Sequence, residues 1–184
     1  AAGVILWHNQ NQGNPGYVFS RNGWQMASNF FDLAKVTATG RFNRMLIGSI
    51  ATVTDAANTG LINIAFVAGN PDSMSCWIFY NLYTLNTGIT STESGIIVAS
   101  LTHDNGSNLV SAINRIGQTQ ALDAGTVAYT VSFAWSLGAS QGDVIVNADH
   151  NPNGNSSINF TAWCQGGLQG NTNMALSAGV TAGQ

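Results

Sequence analysis

Short runs of β-branched and aromatic residues alternate with Gly-, Asn- and Pro-rich turns along most of the chain. Arg44 to Thr54 (RMLIGSIATVT) reads as a strand. Turn chemistry over Thr54 to Gly60 leads to a second strand, Leu61 to Ala68, which Gly69-Asn70-Pro71-Asp72 closes. Cys76 to Leu85 (CWIFYNLYTL) is an aromatic strand, and Gly95 to Leu101 (GIIVASL) another. In Thr126 to Ser136, Val127, Tyr129, Val131, Phe133 and Trp135 fall at every second position and share one face. Asp143 to Asn147 and Ile158 to Cys164 complete the strands.

Asn108 to Ile116 breaks the pattern. Leu109, Ala112, Ile113 and Ile116 stand at helical spacing with Gly117 as a stop, so this segment is expected to be a helix. The polar, turn-rich start predicts an extended N-terminal arm over 1–30. The Gly-, Asn- and Ala-rich end predicts an extended tail over 165–184. No strand–helix alternation appears, which excludes a doubly wound parallel sheet. The expected fold is a single all-β domain spanning 1–184. It is an eight-stranded antiparallel jelly-roll sandwich with one or two short helices in the connections. A simple immunoglobulin-like sandwich is the runner-up.

Charge sharpens this picture. Only 7% of residues are charged, against roughly a quarter in an average soluble domain. The apolar runs are short, such as Val4–Trp7 and Ile64–Ala68, where a spanning helix needs about 20 apolar residues. Five Trp and eight Phe argue against disorder. The exterior must therefore be built from Asn, Ser, Thr, Gln and Gly. Such a surface can be covered by neighbours without stranding ions, whose desolvation costs several kcal/mol each. A secreted β-domain has a similar composition and stays open as an alternative. The net charge is −3, and the cations Arg21, Lys35, Arg41, Arg44 and Arg115 form no basic arm of the kind nucleic-acid binding uses.

Catalytic chemistry is not visible. No G-x-x-x-x-G-K loop and no G-x-S-x-G elbow occur. His103-Asp104 and Asp149-His150 are adjacent pairs, and adjacent residues on an extended chain point apart, which disfavours a shared metal. Asp149 to Gly154 imitates a calcium loop, but its twelfth position is Phe160, so a turn is expected. Cys76 and Cys164, 88 positions apart, are expected to be buried free thiols, with a disulfide as the alternative. Three sequons begin at Asn105, Asn155 and Asn159. No catalytic residue, cofactor or metal is expected.

The chain runs from Ala1 to Gln184, which fits release from a polyprotein by a protease that cuts between Gln and a small residue. Gln12-Gly13, Gln141-Gly142, Gln165-Gly166 and Gln169-Gly170 match the same rule, so folding must hide them. Met45 to Ser73 is similar to the first strand pair of comovirus-like coat domains. The likeness rests on Ser49-Ile50-Ala51-Thr52-Val53, Ala57-Asn58-Thr59-Gly60-Leu61 and Ala65-Phe66-Val67-Ala68-Gly69-Asn70. The chain thus resembles capsid proteins of picorna-like plant viruses, family Secoviridae, and among them the cheraviruses with their three separate coat proteins. The resemblance implies a jelly-roll subunit of an icosahedral virion, assembled in the host cytoplasm. Its partners would be other copies, sister capsid proteins and enclosed genomic RNA, with no membrane. Ala1 and Gln184 would flank the processing sites. The alternative is a secreted carbohydrate-binding or adhesive β-sandwich.

Overall fold

The structure is a computed structural model that describes residues 5–8, 15–20, 23–26, 30–36, 41–67, 71–86, 88–104, 108–166 and 173–182. Side chains are described from Met45 onward, apart from 85–87, 173 and 181–182. Every described element is a strand or a turn. In chain order the strands are β1 (Ile5–His8), β2 (Pro15–Ser20), β3 (Gly23–Met26), β4 (Phe30–Val36), β5 (Arg41–Val53), β6 (Asn58–Ala65) and β7 (Asp72–Asn86). They continue as β8 (Ile89–His103), β9 (Leu109–Ala121), β10 (Ala128–Leu137), β11 (Gln141–Asn151), β12 (Ser156–Gly166), β13 (Asn173–Leu176) and β14 (Thr181–Ala182).

Two antiparallel sheets form a sandwich. One has the order β10-β11-β6-β13. The other runs β14-β5-β12-β7-β8-β9, with β4 also on β5. Alternation decides what each strand buries. Met74, Cys76, Ile78, Tyr80 and Leu82 of β7 point inward, as do Ile158, Phe160, Ala162 and Cys164 of β12. Val144, Val146 and Ala148 of β11 join them in one core with Leu61, Ile62 and Ile64 of β6. Period-two burial of this kind stabilises by about 25 cal/mol for each Å² of apolar surface removed from water.

The wiring is only half that of the expected jelly roll. Strand β12 returns beside β7, giving the spatial order β12-β7-β8-β9, one Greek key. A second Greek key would set β7 beside β10 and β8 beside β11. Instead β7 pairs β8 over its whole length and β10 pairs β11. Short turns explain the choice: Gly88, at φ 76°, closes β7 on β8, and the Gly138 amide bonds the Gln141 carbonyl at 2.8 Å between β10 and β11. Local hairpins cost less loop entropy than distant pairings.

Two other expectations change. The expected helix at Asn108–Ile116 is strand β9, paired with β8 from Leu109 to Ala121. Leu109, Ser111, Ile113 and Arg115 face inward at period two, so sheet pairing overrides a spacing that also suits a helix. The 1–30 arm contains β1, β2 and β3, paired with one another, and the 165–184 tail adds β13 to β6 and β14 to β5. Cys76 and Cys164 are not free. They stand opposite each other on β7 and β12 and form a disulfide, Cα to Cα 4.0 Å.

Candidate interaction surface

The larger sheet is apolar on both faces. Its outer side, away from the core, carries a belt two rows deep that crosses all five main strands. In the first row, register aligns Met45, Trp163, Trp77, Val98 and Asn114. The second row aligns Ile47, Thr161, Phe79, Ile96 and Gly117. Trp77, Trp163 and Phe79 lie at its centre, 49%, 42% and 47% exposed. Aromatic side chains this open lose contact with water only when something covers them.

Polar rows flank the belt. On one side stand Gln165, Ser75 and Ser100, and the two serine hydroxyls bond at 2.8 Å. On the other stand Ser49, Asn159, Asn81 and Ser94. The Asn81 side-chain oxygen accepts from Thr92 and Ser94 at 3.2 and 3.3 Å. Ser75, Ser100, Asn81 and Ser94 of this rim are thus bonded within the chain. A shallow depression of about 600 Å³ opens beside Phe79, between Ile47, Asn159 and Thr161. From Met45 to Gln165 no described side chain on this face is Asp, Glu, Lys, Arg or His.

The charge is spent elsewhere. Glu93, fully buried on β8, accepts from the Tyr80 hydroxyl at 2.7 Å and from Gln120 Nε2 at 2.5 Å, and it pairs with Arg115 at 3.3 Å. A β-bulge at Ile116 makes this possible: Arg115 pairs with Ile97 and Gly117 with Ile96, so Arg115, Gln118 and Gln120 all turn inward. Arg115 also donates to Gln118 and to the Val131 carbonyl, and lies 5.4 Å over the Phe133 ring. Gln120 reaches the Tyr129 carbonyl, and Trp135 Nε1 reaches Ala112 O at 2.9 Å. Side chains thereby join edges β9 and β10, which share no backbone ladder. Burial first, then the bond to Glu93, raises the Tyr80 hydroxyl well above the ordinary tyrosine range. Burial also raises Tyr129, against the opposing influence of the nearby Thr84 and Ser156 hydroxyls. Glu93 is sealed from water at its centre, and the network acts as a structural clasp.

The sequence-selected residues fall apart in space. His103 is buried and stacks on Phe66 at 5.7 Å, while Asp104 accepts from the Asn108 backbone and side chain. His150 is buried. A carbonyl only accepts, so its Nδ1 donates to Pro152 O at 2.7 Å, and its Nε2 faces the Thr126 and Ser91 hydroxyls at 3.3 and 3.4 Å. The Ser91–His150 pair has the residue types of a nucleophile and base, but both are closed to solvent, and the ring ties loops together instead. Asp149, His150 and Asn151 end strand β11, and only Pro152 to Asn155 connects it to β12. Among the described residues no three His, Cys, Asp or Glu side chains are placed to hold a metal ion. Asn155 accepts from the Asp55 amide, Asn159 lies exposed on the outer face, and Asn105 lies outside the described residues. So do Ala1, Gln184, Gln12-Gly13 and Gln169-Gly170. Gln141-Gly142 and Gln165-Gly166 sit within β11 and β12, each hydrogen-bonded to two neighbouring strands.

The aromatic belt is the feature that sequence reasoning missed. Its signal was the unbroken apolar run Cys76-Trp77-Ile78-Phe79-Tyr80, which supplies both faces of one strand.

No protein-family model matches this chain, and no curated protein matches it. Among solved structures, the Acinetobacter phage vB_ApiP_P1 tailspike protein aligns at 17% identity and TM-score 0.36, over 88% of this chain and 26% of that one. The tailspike protein of Acinetobacter baumannii phage AM24 aligns at 7% identity and TM-score 0.36, over 76% and 28%. This chain spans about a quarter of the length of either tailspike chain, and likeness at that TM-score identifies no shared fold.

Proposed function

We propose that this chain is a structural subunit of a protein shell, in its specific form a coat subunit of an icosahedral capsid enclosing RNA. One observation carries the reading: among the described side chains, the broad outer face of the larger sheet carries no charge and is centred on exposed Trp77, Trp163 and Phe79. Contiguous apolar patches on folded domains mark contact surfaces. A face without ions can be covered with no charge to desolvate. The partners are further copies and sister coat proteins. RNA is enclosed without a basic arm, and Arg115, one of the five cations, is engaged with Glu93 in the clasp. The pairing of β5 with β12 and of β6 with β11 is the part of a jelly roll that this reading uses.

A second reading has its own support. The Cys76–Cys164 bridge is the bonding habit of oxidising compartments. Phe79 beside Asn81 and Asn159, with Trp77 and Trp163 in the next row, could stack on and hydrogen-bond a sugar. A secreted carbohydrate-binding or adhesive sandwich would use the same face.

Light scattering and negative-stain microscopy of natively purified material test the first reading. Closed shells of one diameter support it. Free 19.2 kDa chains, or small oligomers that never grow, overturn it. Saturable binding on a glycan array by such free chains establishes the second.

A further inference from the structure

We infer that the partner seated on the aromatic belt is a second copy of this chain, docked sheet to sheet about a two-fold axis. The inference deepens the subunit reading and rests on the same face. Three features of that face select a second copy.

The first is charge. In a two-fold contact the same patch appears on both sides, and residues near the axis meet their own copies. A charged residue there would face an identical charge. The belt and both flanking rows offer none among the described residues. A foreign partner would gain specificity from complementary charges, and the described side chains of this face supply nothing for them to read.

The second is the layout. Trp77, Phe79 and Trp163 sit on β7 and β12, inside the sheet, with Met45 and Ile47 to one side and Ile96 and Val98 to the other. The polar rows lie beyond them along the strands, and within them Ser75, Ser100, Asn81 and Ser94 are hydrogen-bonded inside the chain. An apolar centre with a polar rim is the anatomy of a protein interface.

The third is size. The face measures about 24 Å across five strands at a spacing of about 4.8 Å, and about 30 Å along Ser75 to Tyr83, giving roughly 700 Å². A standard interface covers about 800 Å² on each partner. The patch fits one sheet-on-sheet contact of the kind that packs at about 10 Å separation.

Analytical ultracentrifugation of the purified oxidised chain over a wide concentration range is the test, with three variants. The wild type should form a dimer with a dissociation constant of about micromolar order, as a standard-size interface without charge pairs gives. Phe79→Asp should weaken that dimer by at least about 30-fold, the loss expected of an aromatic hot spot. Trp163→Gln should weaken it in the same direction and serves where Phe79→Asp fails to fold, as judged by circular dichroism. Val127→Asp changes a loop residue that is 79% exposed and off this face, and should leave the dimer unchanged. A wild type that stays monomeric at every concentration overturns the inference, and so does a dimer that folded Phe79→Asp and Trp163→Gln leave intact. Tight binding of a neutral oligosaccharide by a chain that stays monomeric overturns it as well. A dimer that never grows into shells upholds the inference and ends the shell reading. A monomer that enters shells only with sister chains does the reverse.

Discussion

Removing the Cys76–Cys164 bridge should cost this domain a large part of its stability. The bridge closes a loop of 88 residues. Chain-entropy bookkeeping takes about 15 cal/mol/K from the unfolded ensemble for a loop of that length, or about 4.6 kcal/mol at 25 °C. Whole domains of this size are stable by about 5–15 kcal/mol. The bridge also lies in the core, between the inward rows of β7 and β12, so Cys76→Ala with Cys164→Ala removes two buried sulfurs as well. Reducing the wild type separates the terms, because reduction reopens the loop and leaves both sulfurs in place. The assay is urea unfolding followed by far-ultraviolet circular dichroism. A slope of about 2 kcal/mol/M, usual for small proteins, converts the entropic part into a midpoint shift of roughly 2 M. The slope itself should rise on reduction, since an unlinked chain expands further when unfolded. Thiol titration of denatured, unreduced protein should find no free sulfhydryl. A midpoint shift below about 0.5 M, or two titratable thiols in natively purified protein, would refute the reasoning.

The clasp, the packed glycines and the buried tyrosines each yield a further expectation. Arg115→Met leaves fully buried Glu93 without its cation and should cost about 2–4 kcal/mol. Arg115 is 24% exposed, which favours the lower half of that range. Adding Glu93→Gln should recover part of the loss, and a double-mutant cycle with no coupling would refute the clasp. A Cβ on Gly95 would stand 2.5 Å from the Gly117 carbonyl and 2.6 Å from the Tyr80 hydroxyl, whereas one on Gly117 meets nothing within 4 Å. Thermal unfolding should therefore find Gly95→Ala destabilised by about 1–3 kcal/mol and Gly117→Ala nearly unchanged. Tyr80 and Tyr129 have folded values raised above the ordinary 10.0, so the folded state holds their protons longer than the unfolded state does. That contribution is intact below pH 10.0 and is lost as pH climbs toward the raised values, at up to about 1.4 kcal/mol per pH unit for each. Tyr80→Phe should flatten the alkaline limb of a stability–pH curve, and an unchanged limb would count against the assignment.

Much of the fold could be read from residue order, because period two is a local property of a strand. All seven segments named from their β-branched and aromatic runs contain a strand, from Arg44–Thr54 to Ile158–Cys164. In Thr126–Ser136 the alternation held for Tyr129, Val131, Phe133 and Trp135, which share the inward face, while Val127 lies before the strand and is 79% exposed. What alternation cannot supply is a partner. Leu109, Ala112, Ile113 and Ile116 satisfy a helical spacing, and only the ladder with β8, with its bulge at Ile116, makes them a strand. The bridge depends likewise on register. Cys76 and Cys164 meet because β12 returns beside β7, a contact made over 88 positions that no local pattern contains.

The belt follows the same rule. The sequence by itself determined an all-β chain with few ions and several tryptophans, since composition and period belong to the residues. Only the tertiary structure decided that Trp77, Trp163 and Phe79 gather on one open face while Glu93 and Arg115 are drawn into a seam. In a strand such as Cys76–Tyr80, apolar on both sides, either face could have packed into the core. The half-turn that buries Cys76 and Ile78 and exposes Trp77 and Phe79 is set by the opposing sheet and by the register of β12.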